Sequence, residues 1–213
     1  MKYIKLFENF DSYDPYELMI TPPNKKAEMI IEELKKSEPN LDLIKDLIGL
    51  GANLDWRDEK NKPILYYAIY KNQVEVVKML IDNDVDVNVK IGSFNSTPLL
   101  ESIHKDPEIA RMLIDAGADV NATSNFNSET PIYLAASYNK PIVMQMLLDA
   151  GADINIQDEE GDTPLHIAAT YGEEKGIDNL LKFGADGDIK NNRGYTWRAI
   201  WDMGGDFEWE NEE

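Results

Sequence analysis

Apolar residues in this chain fall into short clusters with helical spacing, each cluster bracketed by the same polar and turn-forming residues. The stretch from Asp158 to Lys190 shows the pattern whole. Leu165, Ile167, Ala168 and Ala169 form one cluster, and Ile177, Leu180 and Leu181 form the next. Each spacing predicts a short amphipathic helix. Asp158-Glu159-Glu160-Gly161-Asp162 ahead of them reads as a turn in which glycine takes the left-handed conformation. Thr163 suits a helix N-cap and Pro164 the first helical position. Gly172 breaks the first helix, and Gly184 ends the second.

The pattern repeats about every 33 residues. Thr97-Pro98, Thr130-Pro131 and Thr163-Pro164 keep that interval, and Thr196 continues it with Trp197 in the proline place. A second ladder runs through Gly51-Ala52, Asp84-Val85, Gly117-Ala118, Gly151-Ala152 and Gly184-Ala185. Such a period predicts a solenoid of units that pack only on their neighbours. Around Thr130-Pro131 the second stripe is Ile142, Val143 and Leu147; Asn139, and Asn72 earlier, hold the place of Gly172. The unit near Asn61 is degenerate, yet Leu65, Ala68, Val76, Val77 and Leu80 keep its apolar pattern. Between Thr97 and Gly117 one residue is missing, at the turn Lys105-Asp106-Pro107. The turns before Thr97 and Thr130 each carry one residue more than the turn before Thr163.

This reading divides the chain into an N-terminal extension (1–23), an N-terminal capping repeat (24–57), four central repeats (58–190), a C-terminal half-repeat cap (191–205) and an acidic tail (206–213). The cap holds a polar-faced helix from Lys25 to Ser37 and another from Leu41 to Ile48; a short last helix runs to about Met203. Tyr3, Ile4, Leu6, Phe7 and Phe10 are too apolar for a free tail and predict docking on the first unit or on a partner.

Gly161-Asp162-Thr163-Pro164-Leu165-His166-Ile167-Ala168-Ala169, with Gly184-Ala185-Asp186 downstream, resembles an ankyrin repeat. The resemblance covers about residues 25 to 203. Pro63-Ile64, Leu100, Asp84 and Trp197 depart from the signature. It implies an all-α solenoid of stacked antiparallel helix pairs with projecting turns, capped at both ends and L-shaped. It also implies a non-catalytic adaptor or inhibitor that holds a partner protein on a concave face of turn tips and first helices. The start Met1-Lys2-Tyr3-Ile4-Lys5-Leu6-Phe7-Glu8 resembles starts seen among phage-encoded proteins.

Charge narrows the partner. With 21 basic and 40 acidic residues the formal charge is -19, which disfavours nucleic acid as a ligand and attracts a basic protein surface. An alternative follows: an acidic mimic of nucleic acid that blocks a nucleic-acid-binding protein, in a phage-type counter-defence role. No cysteine is present, and no apolar run has the length of a signal-peptide core or a membrane span. These features predict a cytoplasmic chain, monomeric when free, with no membrane partner.

No constellation predicts catalysis, a metal or a cofactor. His166 occupies the signature place and is expected to bond backbone across its turn. Asp158, Glu160 and Asp162 alternate like calcium ligands, but Ala169 stands where the bidentate glutamate belongs. An unrecognised enzyme or ligand-binding repeat protein is the remaining alternative. The candidate partner surface comprises Trp56, Arg57, Lys60, Lys62, Lys90, Phe94, Phe126, Glu129, Gln157, Glu159, Asp162, Arg193 and Tyr195 on the turns. His104 lies near a first-helix end, and Tyr70, Tyr138 and Tyr171 are expected to form a row on those ends. Aromatic side chains bring large contact area at small entropic cost.

Overall fold

A computed structural model describes residues 14–125 and 128–204. Phe126, the tail 206–213, and the early apolar residues Tyr3, Ile4, Leu6, Phe7 and Phe10 lie outside the described residues. The described residues form twelve helices and no strand. The chain divides into two compact units, Met1–Asp86 and Val87–Glu213.

The first unit contains α1 (Pro15–Ile20), α2 (Pro23–Lys35), α3 (Leu41–Gly49), α4 (Ile64–Tyr70) and α5 (Val74–Ile81). Helix α2 pairs with α3, α4 pairs with α5, and α2 lies beside α4. Their core is aliphatic: Ala27, Ile30, Ile31 and Leu34 of α2 meet buried Leu43, Ile44 and Leu47 of α3, and Leu65 and Ala68 of α4. Each fully buried aliphatic side chain contributes about 1.5–3 kcal/mol, which outweighs the weak propensity of helices this short. The sequence pattern gives no sign of α1. Asp14 caps it through the Tyr16 amide, and buried Leu18 anchors it. Lys26 is buried as well, because its ammonium donates to the carbonyls of Leu50 and Met19.

The second unit contains α6 (Pro98–Ser102), α7 (Pro107–Asp115), α8 (Pro131–Ser137), α9 (Pro141–Asp149), α10 (Pro164–Thr170), α11 (Glu174–Lys182) and α12 (Trp197–Asp202). The pairs α6/α7, α8/α9 and α10/α11 stack, with α8 beside α10 and α12 against α10. A ladder of asparagines sets their register. The side-chain carbonyls of Asn88, Asn121 and Asn155 accept the backbone N–H of Asp119, Asp153 and Asp186, each at 2.8 Å. One unit thus satisfies a loop donor of the next.

The edits in the sequence have local consequences. Asn72 and Asn139 adopt positive φ (55° and 51°) in the place of Gly172 (67°), and Asp84 does so (58°) in the place of Gly184 (97°). The missing residue after α6 deletes this left-handed position, and α6 is the shortest helix described. The ordinary turns close with backbone bonds spanning four positions, Asp58–Lys62, Asp158–Asp162 and Asn191–Tyr195. The two longer turns close across five, Ile91–Ser96 and Ser124–Glu129, so the extra residue sits inside the turn. Two positions expected on buried stripes are not buried. Ile142 is 63% exposed and Leu181 38%, because each lies one position off the face occupied by Val143, Leu147, Ile177 and Leu180.

Candidate functional site

The first helices of the second unit are fixed at their starts by polar caps. Thr97, Thr130 and Thr196 accept the amides of Leu100, Tyr133 and Ala199 on their hydroxyls. Thr163 uses His166 instead: Nδ1 accepts the Thr163 N–H at 3.1 Å, and Nε2 lies 3.0 Å from the Tyr195 carbonyl. That pairing makes Nε2 the protonated nitrogen, and His166 spends both nitrogens on structure.

These caps place the first-helix ends at the surface. Tyr138 and Tyr171 are the C-cap residues of α8 and α10, each followed by a left-handed residue. They are 53% and 51% exposed. His104 is exposed beside them, its ring centroid 5.7 Å from that of Tyr138. Partial desolvation of the ring, then the charge of Lys105, holds its pKa below the ordinary histidine value. Phe94 is 55% exposed in its turn, whose carbonyl accepts the Asn125 amide. Lys90, Glu159 and Arg193 are exposed; Gln157 is exposed too, while its amide donates to the Gly161 carbonyl at 2.7 Å.

Two of the expected surface residues serve the turns themselves. Asp162 is buried, and its carboxylate accepts from Asn191 Nδ2 at 2.8 Å, which ties one turn to the next; burial pushes its pKa up. Tyr195 is half-buried over the same joint. The expected row of tyrosines is also shorter by one. Tyr70 is exposed, but it is the last helical residue of α4, and Lys71 takes the C-cap place held by Tyr138 and Tyr171. Tyr70 stacks instead on Tyr66, with centroids 5.7 Å apart.

The first unit gathers its own candidates separately. Trp56 and Lys60 line an open cleft of about 840 Å³ beside α2, with Met29 and both acidic and basic residues of that helix, among them Glu28, Glu32, Lys25 and Lys35. Arg57 bridges to Pro63 across the turn and reaches Asn61. Lys62 donates to the Tyr66 hydroxyl at 2.7 Å and lies 4.0 Å from its ring centroid. Below it, Tyr67 donates to Asp58 at 2.5 Å. Burial alone would raise the Asp58 carboxyl. The bonds from Tyr67 and from the Lys62 and Lys60 amides, with the Lys62 charge, bring it below its ordinary value.

Two surface carboxylates escaped the sequence reading. Glu173 precedes α11 and accepts from the Ser137 hydroxyl. Glu101 lies on α6, and both act on half-buried Glu129. Neither belongs to a recurring motif, so only the stacking brings them to notice. Asp158 accepts the amides of Glu160 and Asp162, so the calcium-like alternation is a hydrogen-bonded turn. Among the described residues no group of three His, Asp or Glu is placed to hold a metal ion, and no helix is long and apolar enough to cross a membrane.

With the stacked pairs and turns in view, comparison with known families decides the assignment. The family models match in three places: ankyrin repeats in three copies over residues 34–124, ankyrin repeats in many copies over 113–168, and a single ankyrin repeat over 160–192. The chain belongs to the ankyrin-repeat family. No curated protein matches it. Ankyrin repeats bind other proteins and are typically non-catalytic, which gives this chain the general character of a protein-binding repeat protein.

Proposed function

We propose that this ankyrin chain is a non-catalytic adaptor or inhibitor that captures a partner protein on the turns and first-helix ends of its repeats. The observation that carries the reading is the exposure of large aromatics there. Phe94, Tyr138 and Tyr171 are each more than half exposed, while the residues that position them are buried. Rigid aromatic side chains projecting from a packed scaffold are the usual anchors of an interface. A charge of -19 favours a partner with a basic surface. It also supports a second reading, in which the partner is a nucleic-acid-binding protein that the acidic chain blocks.

The test is affinity capture from the native host with a Tyr138→Ala/Tyr171→Ala bait alongside the wild type. Truncating two anchors should weaken the captured complex by about 2–4 kcal/mol with an unchanged melting temperature. Equal capture by both baits rejects the surface. Retention of the partner at 0.5 M salt, where screening acts over about 4–5 Å, removes the acidic-mimic reading alone.

A further inference from the structure

Acidity is spread unevenly along this chain. Residues 1–86 hold 12 basic and 17 acidic residues, and residues 87–213 hold 9 and 23, so the first unit carries -5 of the total charge of -19. Within that unit α4 gathers lysine and tyrosine side chains into direct contact. The Lys62 ammonium lies 4.0 Å from the Tyr66 ring centroid and donates to the Tyr66 hydroxyl at 2.7 Å. Tyr66 stacks on Tyr70, with centroids 5.7 Å apart and planes 17° from parallel, and meets Tyr67 edge-on at 5.3 Å. Lys71 follows Tyr70 and donates to the Lys35 carbonyl at 3.3 Å. These contacts form one basic and aromatic ledge, half-buried at Tyr66 and exposed at Tyr70.

The carboxylates of the unit leave the cations of this ledge unneutralised. Among the described residues its ion pairs are Lys25–Glu28, Lys35–Glu32 and Lys36–Glu33, and none uses Lys62 or Lys71. Asp58 belongs to the same turn as Lys62, but its oxygens are engaged. One accepts the Lys60 and Lys62 amides at 2.9 and 2.8 Å, and the other accepts the Tyr67 hydroxyl. An ammonium has three donors, of which Tyr66 takes one, so two remain for solvent or a ligand. The contact with Tyr66 also holds the ammonium in place, which lowers the ordering cost of binding.

We propose that the ledge of Lys62, Tyr66 and Tyr70 receives an acidic segment of the partner protein, with an aspartate or glutamate carboxylate bonded to the Lys62 ammonium and a neighbouring apolar side chain on the exposed Tyr70 ring. Charge complementarity selects this occupant. A basic segment would meet Lys62 and Lys71 with like sign, whereas a carboxylate gains a charge-assisted hydrogen bond and the stacked rings offer it an apolar flank. This inference rests on the protein-binding reading above and adds the chemistry of one contact.

The probe is a hexapeptide of glutamates with one central phenylalanine, titrated into the 15N-labelled full chain at 0.15 M salt and followed by amide chemical shifts. Because the chain carries -19, diffuse attraction cannot hold an anionic peptide, and saturable binding is local. The amides of residues 62, 66, 70 and 71 should shift and saturate. Lys62→Gln should weaken binding about 5- to 10-fold, and Lys62→Arg should keep it within about 2-fold. Tyr70→Ala alters an exposed ring and should weaken binding about 3-fold, which keeps the test independent of any folding defect in Lys62→Gln. Lys78→Gln removes an exposed charge on α5 and should change binding less than about 2-fold. Absence of saturable shifts at those amides, or equal losses for Lys62→Gln and Lys78→Gln, would overturn the proposal. Capture with a Lys62→Gln bait separates the two readings. A partner held as well by that bait as by the wild type, but lost by Tyr138→Ala/Tyr171→Ala, refutes the acid-binding ledge and leaves the protein-binding surface standing.

Discussion

Gly161 shows how a single residue holds one repeat turn to the next. Its φ is +76°, and a Cβ built on it would sit 2.7 Å from Asn192 Oδ1 and 2.8 Å from the Asn192 backbone nitrogen. That nitrogen donates to the Glu160 carbonyl, and the Asn192 side chain donates to that of Glu159. Gly161→Ala should therefore destabilise the second unit by about 2–4 kcal/mol, from the left-handed penalty plus the displaced turn, measured by denaturant unfolding. A loss under about 1 kcal/mol would show that the turns are not clamped. The glycine was readable as a turn residue, but its close approach to Asn192 was not, because that contact depends on the neighbouring repeat. Asp162 was misplaced for the same reason: its partner, Asn191, is one unit away.

Asp58 and Tyr67 give a residue-scale test in pH. Asp58 is held below its ordinary value, so the folded state gains stability above about pH 3.8 that disappears as pH falls through the lowered folded value. Tyr67→Phe removes one of the donors responsible. It should cost about 1 kcal/mol at pH 7, at the low end for a charged acceptor because the pair is half exposed. The gap between variant and wild type should narrow below that pH. Parallel stability profiles would contradict the assignment.

Helices are where the sequence was most legible. The period of 33 residues, the Thr-Pro starts of α6, α8 and α10 and the left-handed stops after α4, α5, α8, α10 and α11 located most helices of the repeats, because caps and breakers act through local geometry. The insertions before Thr97 and Thr130 were equally readable, since one added residue must lengthen a closed turn by one. Helix α1 was missed: six residues with one buried side chain, Leu18, leave no period to detect. On α9 the apolar run Ile142-Val143 hid which residue faces inward. Leu147→Ala should cost about 2–5 kcal/mol, since Leu147 is fully buried, whereas Ile142→Ala at a 63% exposed position should cost under about 0.5 kcal/mol. Thermal or chemical denaturation of the two variants checks the difference; similar costs would mean that α9 is rotated.

At the scale of the molecule, function comes from what repetition leaves uncovered. Each helix pair spends its aliphatic face on the neighbouring pair, and its turn and first-helix end project the residues that packing does not need. Those residues vary between repeats where the framework does not: Lys71 holds the C-cap place of Tyr138 and Tyr171, and Glu129 reverses the charge of Lys62. Positions of the candidate surface were thus legible from the repeat phase. Which of them face solvent and which close a neighbouring turn was settled only by stacking.

The most direct measurement is hydrogen–deuterium exchange of the chain alone and in complex with the partner it captures. Exchange should slow in the complex over 91–96, 133–139 and 167–172, the segments that carry Phe94, Tyr138 and Tyr171. Slowing confined to the second helices α7, α9 and α11, with those three segments unchanged, would contradict the account.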